Sequence, residues 1–314
     1  MVFRNYKIRD HLTTLARRIV QIIAFLLINY IILEFIFSIN LVGIEGFLKV
    51  LPVLNSPRNP LSEGMGIVEA IFYSMATGVI PFFLIGVFLL ILLFTNRFFC
   101  GWICPIGFFQ DLCSAIPGKK KSMKLKTHKT LLNAKYVIII ILIILIVPLG
   151  VSKVTNYAFW TDFYTQLGLV AQKPVGFFSL SEYIFVFFPD MIGKIYESGG
   201  LGPLFSNFGG FIIFLVYLII VVLSTRYPRF YCRYFCPFAA ISAAITDYSF
   251  LKLSRNPVKC VGRSDCGECE RVCPKQIRIL DEPFEFFTGK GECNLCLKCK
   301  EICPYDAINL KFGS

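Results

Sequence analysis

Histidine is nearly absent from this 314-residue chain. The two present are His11 and His128, and neither lies within an apolar run. A haem b held between helices by a histidine pair is therefore not expected. No Walker loop and no GxGxxG fingerprint occurs, so there is no expected site for ATP, NADH or bound flavin. Charge is scarce as well. Charged residues make up 17% of the chain, against about a quarter in a soluble domain. In their place the chain is 56% hydrophobic and carries 33 Phe. Four apolar runs hold the excess, near Ile19–Ile39, Val79–Phe94, Tyr136–Val151 and Phe208–Leu223. A bilayer core takes about 20 apolar residues, so each run reads as a membrane span. The third is short and contains Pro148, so its flanks must help. The first is too long for the apolar region of a signal peptide and precedes no small-residue cleavage site, so it is expected to be a retained helix.

Lysine and arginine set the expected orientation. Residues 1–18 hold five, the segment 96–135 holds eight and residues 225–314 hold fourteen, whereas the two intervening loops hold two and three. The basic segments alternate, which places both termini in the cytoplasm of a four-span protein of the cell membrane. This asymmetry explains most of the net charge of +12 without a nucleic-acid partner. The Lys119–Lys129 run also suits anionic lipid headgroups. Three segments follow: a cytoplasmic N-terminus (1–18), a four-helix transmembrane domain (19–255) and a cytoplasmic C-terminal domain (256–314). The aromatic loop 152–207 is expected against the outer membrane surface, with Tyr183–Phe188 an interfacial or re-entrant helix. Two acids, Glu34 and Glu69, sit near outer span ends and are candidates for proton transfer.

Thirteen cysteines would suggest disulfides in a secreted chain. Here the topology puts them at or beyond cytoplasmic helix ends, where thiols stay reduced and metal ligation is the better reading. Eight fall in two C-terminal runs. One is Cys293-x2-Cys296-x2-Cys299-x3-Cys303-Pro304, the bacterial ferredoxin run for a 4Fe–4S cluster. The other, Cys260-x5-Cys266-x2-Cys269-x3-Cys273-Pro274, is the same run with its first gap stretched. In two-cluster ferredoxins the fourth cysteine of each run ligates the other cluster. Cys260, Cys266, Cys269 and Cys303 are thus assigned to one cluster, and Cys293, Cys296, Cys299 and Cys273 to the second. Zinc knuckles or disulfides would be the alternative, but two Cys-Pro endings rarely arise by accident.

A second pattern recurs at the ends of the second and fourth runs. Arg97-Phe-Phe-Cys100-Gly-Trp-Ile-Cys104-Pro105 matches Arg229-Phe-Tyr-Cys232-Arg-Tyr-Phe-Cys236-Pro237 in register. The chain reads as two parallel repeats, each of two helices and a cysteine motif, related by an axis along the membrane normal. Residues i and i+4 share a helix face, and the following proline discourages further helix. Two such pairs across an axis bring Cys100, Cys104, Cys232 and Cys236 around one point. That point suits a third 4Fe–4S cluster, another metal or a pair of redox dithiols, with plain thiol packing as the alternative. Cys113 has Ile245 at the equivalent position and reads as a small buried hydrophobe.

These residues together resemble the NapH/NosR/CcoG group of membrane polyferredoxins. The resemblance rests on Phe-Cys100-Gly-Trp-Ile-Cys104-Pro-Ile-Gly, Gln110-Asp111-Leu112, Cys232-x3-Cys236-Pro, the paired ferredoxin runs and Leu51-Pro-Val-Leu-Asn-Ser-Pro. It implies an integral-membrane electron carrier between the quinol pool, or a cytoplasmic donor, and a partner redox protein, as an electron-transfer subunit of an oxidoreductase. CcoG-like members imply an alternative, a copper reductase or assembly factor. A third reading is an iron–sulfur redox sensor. NosR-like members add an extracytoplasmic flavin domain, for which the short segments here leave no expected room. The expected fold is mainly α: a polytopic four-helix bundle of two parallel two-helix repeats, with a C-terminal α+β ferredoxin domain holding two 4Fe–4S clusters.

Overall fold

The computed structural model describes residues 12–29, 50, 51, 53, 65–116, 121–200, 202 and 208–313. Glu34, Lys119, Lys120, most of the Leu51–Pro57 stretch and the second half of the first apolar run lie outside the described residues.

The described chain is mainly helical. Helix α1 (Leu12–Ile28) begins inside the segment expected as a cytoplasmic tail and buries Arg17 and Gln21. The second apolar run lies in the second of two helices, α2 (Ile67–Ala76) and α3 (Phe82–Thr95). The break has a local cause. Gly78 takes a positive φ of 76°, and Pro81 disfavours a helical residue before it. Helix α3 ends at Asn96, whose φ of 55° turns the chain into the short helix α4 (Phe98–Trp102). Helix α5 (Pro105–Cys113) follows with proline at its first position, where the missing N–H costs no hydrogen bond.

The third run is the longest helical stretch. A basic helix, α6 (Leu125–Leu132), passes through Asn133 into α7 (Ala134–Thr155), and Pro148 lies inside α7 without ending it. After the aromatic segment, α9 (Phe208–Arg226), α10 (Phe230–Tyr234) and α11 (Pro237–Thr246) repeat the α3–α4–α5 order. Among the described residues two helices are long and apolar enough to cross a membrane, Leu125–Thr155 and Gly209–Arg226. At 1.5 Å per residue, α3 alone is about 21 Å long, short of a bilayer core, so a crossing there needs α2 as well.

The aromatic segment is less peripheral than its composition suggests. It forms helix α8 (Tyr157–Leu167), and Trp160 Nε1 donates to the Ala76 carbonyl at 3.2 Å. A wide turn of helix at Tyr183–Phe187 buries Tyr183 and Phe185 in the main core. Tyr183 stacks on Tyr217 of α9 at 4.7 Å, and Phe185 lies beside Phe25 of α1 at 5.9 Å. Ring area is large and favours burial over an interfacial position.

The C-terminal part closes with β1 (Leu251–Arg255) antiparallel to β2 (Ile308–Phe312), in the register Leu251↔Phe312 to Arg255↔Ile308. Its sheet therefore starts a few residues before the expected boundary. A small core of Leu253, Ile279, Phe287, Leu295 and Ile308 packs around Cys269, Cys293 and Cys299.

Gly150, one turn beyond the start of the Pro148 region, marks the tightest helix contact. A Cβ there would stand 2.1 Å from the Met75 carbonyl oxygen of α2. Alanine gains about 1 kcal/mol of helix propensity over glycine, but overpacking of this kind costs about 1–3 kcal/mol. Gly150→Ala is expected to lower the melting temperature of the detergent-solubilised protein, and an unchanged or raised value would contradict the α2–α7 packing.

Candidate metal centres

Cys100, Cys104, Cys232 and Cys236 line one small cavity, with Arg97, Ile106, Arg229, Phe238, Ala239 and Lys275. The two motifs reach it by matched backbone geometry. Cys104 and Cys236 donate their backbone N–H groups to Phe99 and Tyr231 at 2.8 and 3.1 Å, and accept at their carbonyls from Phe108 and Ala240 at 3.1 and 3.2 Å. Each is the N-cap residue of the helix that follows.

This arrangement departs from the expected i,i+4 pair on one helix face. Cys100 and Cys232 belong to the five-residue helices α4 and α10, which end before the second cysteine. Proline does not stop helix here but starts a new one. The thiols converge because each motif folds as helix, break and helix, aiming both sulfurs into the angle between the axes.

The electrostatics of this cavity are unusual. Cys104 is pushed up to about 12, first by burial and then by the neighbouring thiols of Cys232 and Cys100. Burial likewise raises Cys236 well above the ordinary thiol range. Left to themselves these groups stay neutral, whereas a coordinating metal deprotonates a thiol outright. The surroundings favour that outcome. Arg229 makes a two-pronged ion pair with Asp111 at 2.9 and 2.8 Å. Arg17 and Arg18 approach the same carboxylate at 3.5 and 3.2 Å. Arg97 pairs with Glu292 at 3.2 Å, and Lys135 bonds the same acid. Lys275 adds a further buried cation. Two carboxylates thus serve six cations, and the surplus positive charge suits an anionic occupant bound by thiolates.

The C-terminal cysteines form two more groups. Cys260, Cys266, Cys269 and Cys303 line a small cavity together with Arg255, Leu280 and Pro304. Cys303 thus stands with three cysteines of the other run. Cys299 is raised well above the thiol range by burial, then by the charges of Cys296, Cys293, Cys273 and Cys269. Cys293 is pushed up to about 12, by burial first and Cys296 next. Cys273 therefore neighbours Cys293, Cys296 and Cys299, and Cys269 lies where the two groups meet. Among the described residues no three His, Cys, Asp or Glu side chains draw together around one bare ion. The thiols instead stand apart around a space, which is the donor set a four-iron cluster requires.

Cys113 is buried at the end of α5 and lines neither cavity. Glu69 is buried in the first turn of α2, away from all three cysteine groups. The sequence reading passed over Lys275 and Glu292 and gave Arg17 no role. The recurring Arg97 and Arg229 were a usable signal, since both arginines of the repeated motif line the cavity. Gln110 was noted without a role; its Nε2 donates to Cys232 Sγ at 2.8 Å.

The repeat motifs also grip the second group of ferredoxin cysteines. A Cβ on Gly101 would meet the Asn294 carbonyl at 2.2 Å, so only glycine admits the Cys293–Cys296 loop. Trp102 Nε1 donates to the Leu295 carbonyl at 2.9 Å. Arg233, the counterpart of Gly101, bonds the Pro274 carbonyl and Gln276 Oε1.

Comparison with known proteins agrees with this layout. The family described as 4Fe-4S binding domain matches residues 77–124 and again 208–256, the two stretches that carry the repeated motif. The chain is a relative of electron-transport proteins of the polyferredoxin type and carries a 4Fe-4S binding domain. Ferredoxin-type protein NapH of Escherichia coli (strain K12) is 21% identical over 68% of this chain and 62% of its own length. YccM of the same organism, named for electron transport, is 27% identical over 83% of this chain and 61% of its own. A ferredoxin of Methanothermococcus thermolithotrophicus is 32% identical over 53 residues, which is 87% of that protein. The polyferredoxin thus spans about three fifths of the length of NapH and YccM. No solved structure matches it.

Asp111 sets the stability of the repeat interface. Removing one partner of a buried ion pair costs about 3–5 kcal/mol because the other charge is left unpaired. Asp111→Asn is expected to destabilise the protein on that scale, measured by thermal unfolding in detergent. The charge of Arg229 holds the carboxyl below its ordinary range, after burial, which opposes it. Its stabilising share is therefore present above the unfolded carboxyl pKa, about 3.9, and is lost as pH falls below it. An Asp111→Asn protein as stable as the original would contradict this pairing.

Proposed function

We propose that this polyferredoxin is an integral-membrane electron carrier with three 4Fe–4S clusters, moving electrons between the quinol pool, or a cytoplasmic donor, and a partner redox protein. The observation that carries the reading is the convergence of the four repeat cysteines on one cavity, as Cys260, Cys266, Cys269 and Cys303 converge on another, amid surplus buried positive charge. Bound there, a cluster would take up and release single electrons; Cys100, Cys104, Cys232 and Cys236 would hold it. Cys273, Cys293, Cys296 and Cys299 would hold the next, and Cys260, Cys266, Cys269 and Cys303 the last.

Four spans with both ends in the cytoplasm fit the charge asymmetry. The exposed apolar faces of α1, α3, α7 and α9, which include Ile19, Leu90, Ile144 and Ile219, are stable in lipid rather than water. The quinol arm is supported by a cavity of about 350 Å³ lined mainly by apolar atoms, including Phe177, Tyr183, Phe187 and Ile213. The Lys173–Glu182 ion pair lies in its wall. Tyr217, also in that wall, is close enough to Cys236 for the two to interact electrostatically.

Iron content tests the carrier reading. About twelve iron atoms per chain are expected, whereas about eight would favour dithiol chemistry or another metal at the repeat cysteines. Cys104→Ser or Cys236→Ser is expected to leave the two ferredoxin clusters intact while stopping their reduction by quinol. Normal transfer in both variants would reduce the motif to packing. Reporter fusions at residues 55 and 175 should read outside and those at 120 and 314 inside; one reversal would sink the orientation.

A further inference from the structure

The lining of the repeat-cysteine cavity consists of four pairs of residues matched between the repeats, with Ala239 and Lys275 besides. Arg97 matches Arg229, Cys100 matches Cys232, Cys104 matches Cys236 and Ile106 matches Phe238, all at one constant offset. Ala239 takes the place that Gly107 holds in the first repeat. Lys275 has no mate. It comes from the ferredoxin part of the chain, two residues after Cys273, and is 2% exposed. Its Nζ donates to the backbone carbonyl of Cys232 at 2.7 Å. The nearby acids are engaged elsewhere: Glu292 by Arg97 and Lys135, Asp111 by Arg229 and Arg17. Lys275 thus gives its hydrogen bond to a neutral carbonyl while lining the cavity of the four thiols, with Glu292 and Cys232 as the opposite-sign groups acting on it.

We propose that Lys275 is the residue that sets the reduction potential of the centre held by the repeat cysteines, and that it does so from the Cys232 side. This rests on the three-cluster reading above. The physical basis is charge. Reduction adds one electron, and a fixed cation inside a low-dielectric wall stabilises the added negative charge more than the oxidised state, which raises the potential. Burial keeps salt from screening it. Arg97 and Arg229 are each paired with a carboxylate, whereas Lys275 hydrogen-bonds a neutral carbonyl in the cavity wall. Because Pro274 separates it from Cys273 by a single residue, the same side chain ties this centre to the next one. The Lys275–Cys232 contact makes the Cys232 side differ from the Cys100 side, and gives an otherwise symmetric site a direction toward the ferredoxin clusters.

The test is a redox titration of the full-length, detergent-solubilised protein followed by electron paramagnetic resonance. The signal of the repeat-cysteine centre is identified by its loss in Cys104→Ser. Lys275→Met, which keeps the side-chain length and removes the charge, is expected to retain all iron and to shift that midpoint to lower potential. Lys275→Arg should bring it back toward the original value. The cluster of Cys260, Cys266, Cys269 and Cys303, outside the cavity, should not move. An unshifted midpoint in iron-replete Lys275→Met would overturn the proposal. So would loss of the centre's iron in that variant, which would mean that Lys275 holds the site together rather than tuning it. Iron measured on the unsubstituted protein separates the two failures: about eight atoms in place of twelve would bring down the three-cluster reading itself, and this proposal with it.

Discussion

Positive charge buried at the junction of the repeats and the ferredoxin part is the constraint on which the structure turns. Arg17, Arg97, Arg229, Lys135 and Lys275 are almost wholly withdrawn from water, and Asp111 and Glu292 are the carboxylates placed among them. An uncompensated buried ion costs several kcal/mol. Arg17 shows the deficit most plainly: its guanidinium stands 3.5 Å from an already shared carboxylate, and its nitrogens make no hydrogen bond. Thiolates around anionic centres would supply the missing negative charge, which would couple folding to cofactor insertion, as is general where metal ligands are brought together only by the fold.

The same residues explain why the two repeats are not interchangeable. Their backbones match, yet their outward contacts differ. Gly101 yields space to Asn294, whereas Arg233 reaches out to Pro274 and Gln276. Arg97 is answered by Glu292 of the ferredoxin part, whereas Arg229 is answered by Asp111 of the other repeat. One motif clasps the Cys293–Cys296 loop and the other the Cys273–Pro274 turn. Both therefore bear on the group of cysteines nearest the repeat cavity. Short contacts of this kind hold the two groups of cysteines at a fixed separation.

Much of this was legible in the chain itself. The ferredoxin runs, the repeated Arg-aromatic-aromatic-Cys-x3-Cys-Pro motif and the scarcity of histidine each name a chemistry, because sulfur ligands must be spaced to fit their cluster. The grouping of Cys303 with Cys260, Cys266 and Cys269 also follows the spacing. Less legible was how the motif works. Spacing suggested a continuous helical face for Cys100 and Cys104, but Asn96 and Pro105 punctuate the chain on either side and produce two helices at an angle. Composition placed the aromatic segment against the outer membrane surface; within it Tyr183 and Phe185 turn toward the core, where Tyr217 and Phe25 receive their rings.

Local order, cluster chemistry and the duplication were determined by sequence alone, since each depends on residues close together along the chain. Tertiary structure decided what depends on residues far apart. It placed Arg17 of the first helix against Asp111, Glu292 of the last cysteine run against Arg97, and Lys275 in the wall of a cavity otherwise built from the repeats. A lone lysine or glutamate carries no spacing signal, and its role arises from the charges that folding sets beside it where water cannot screen them.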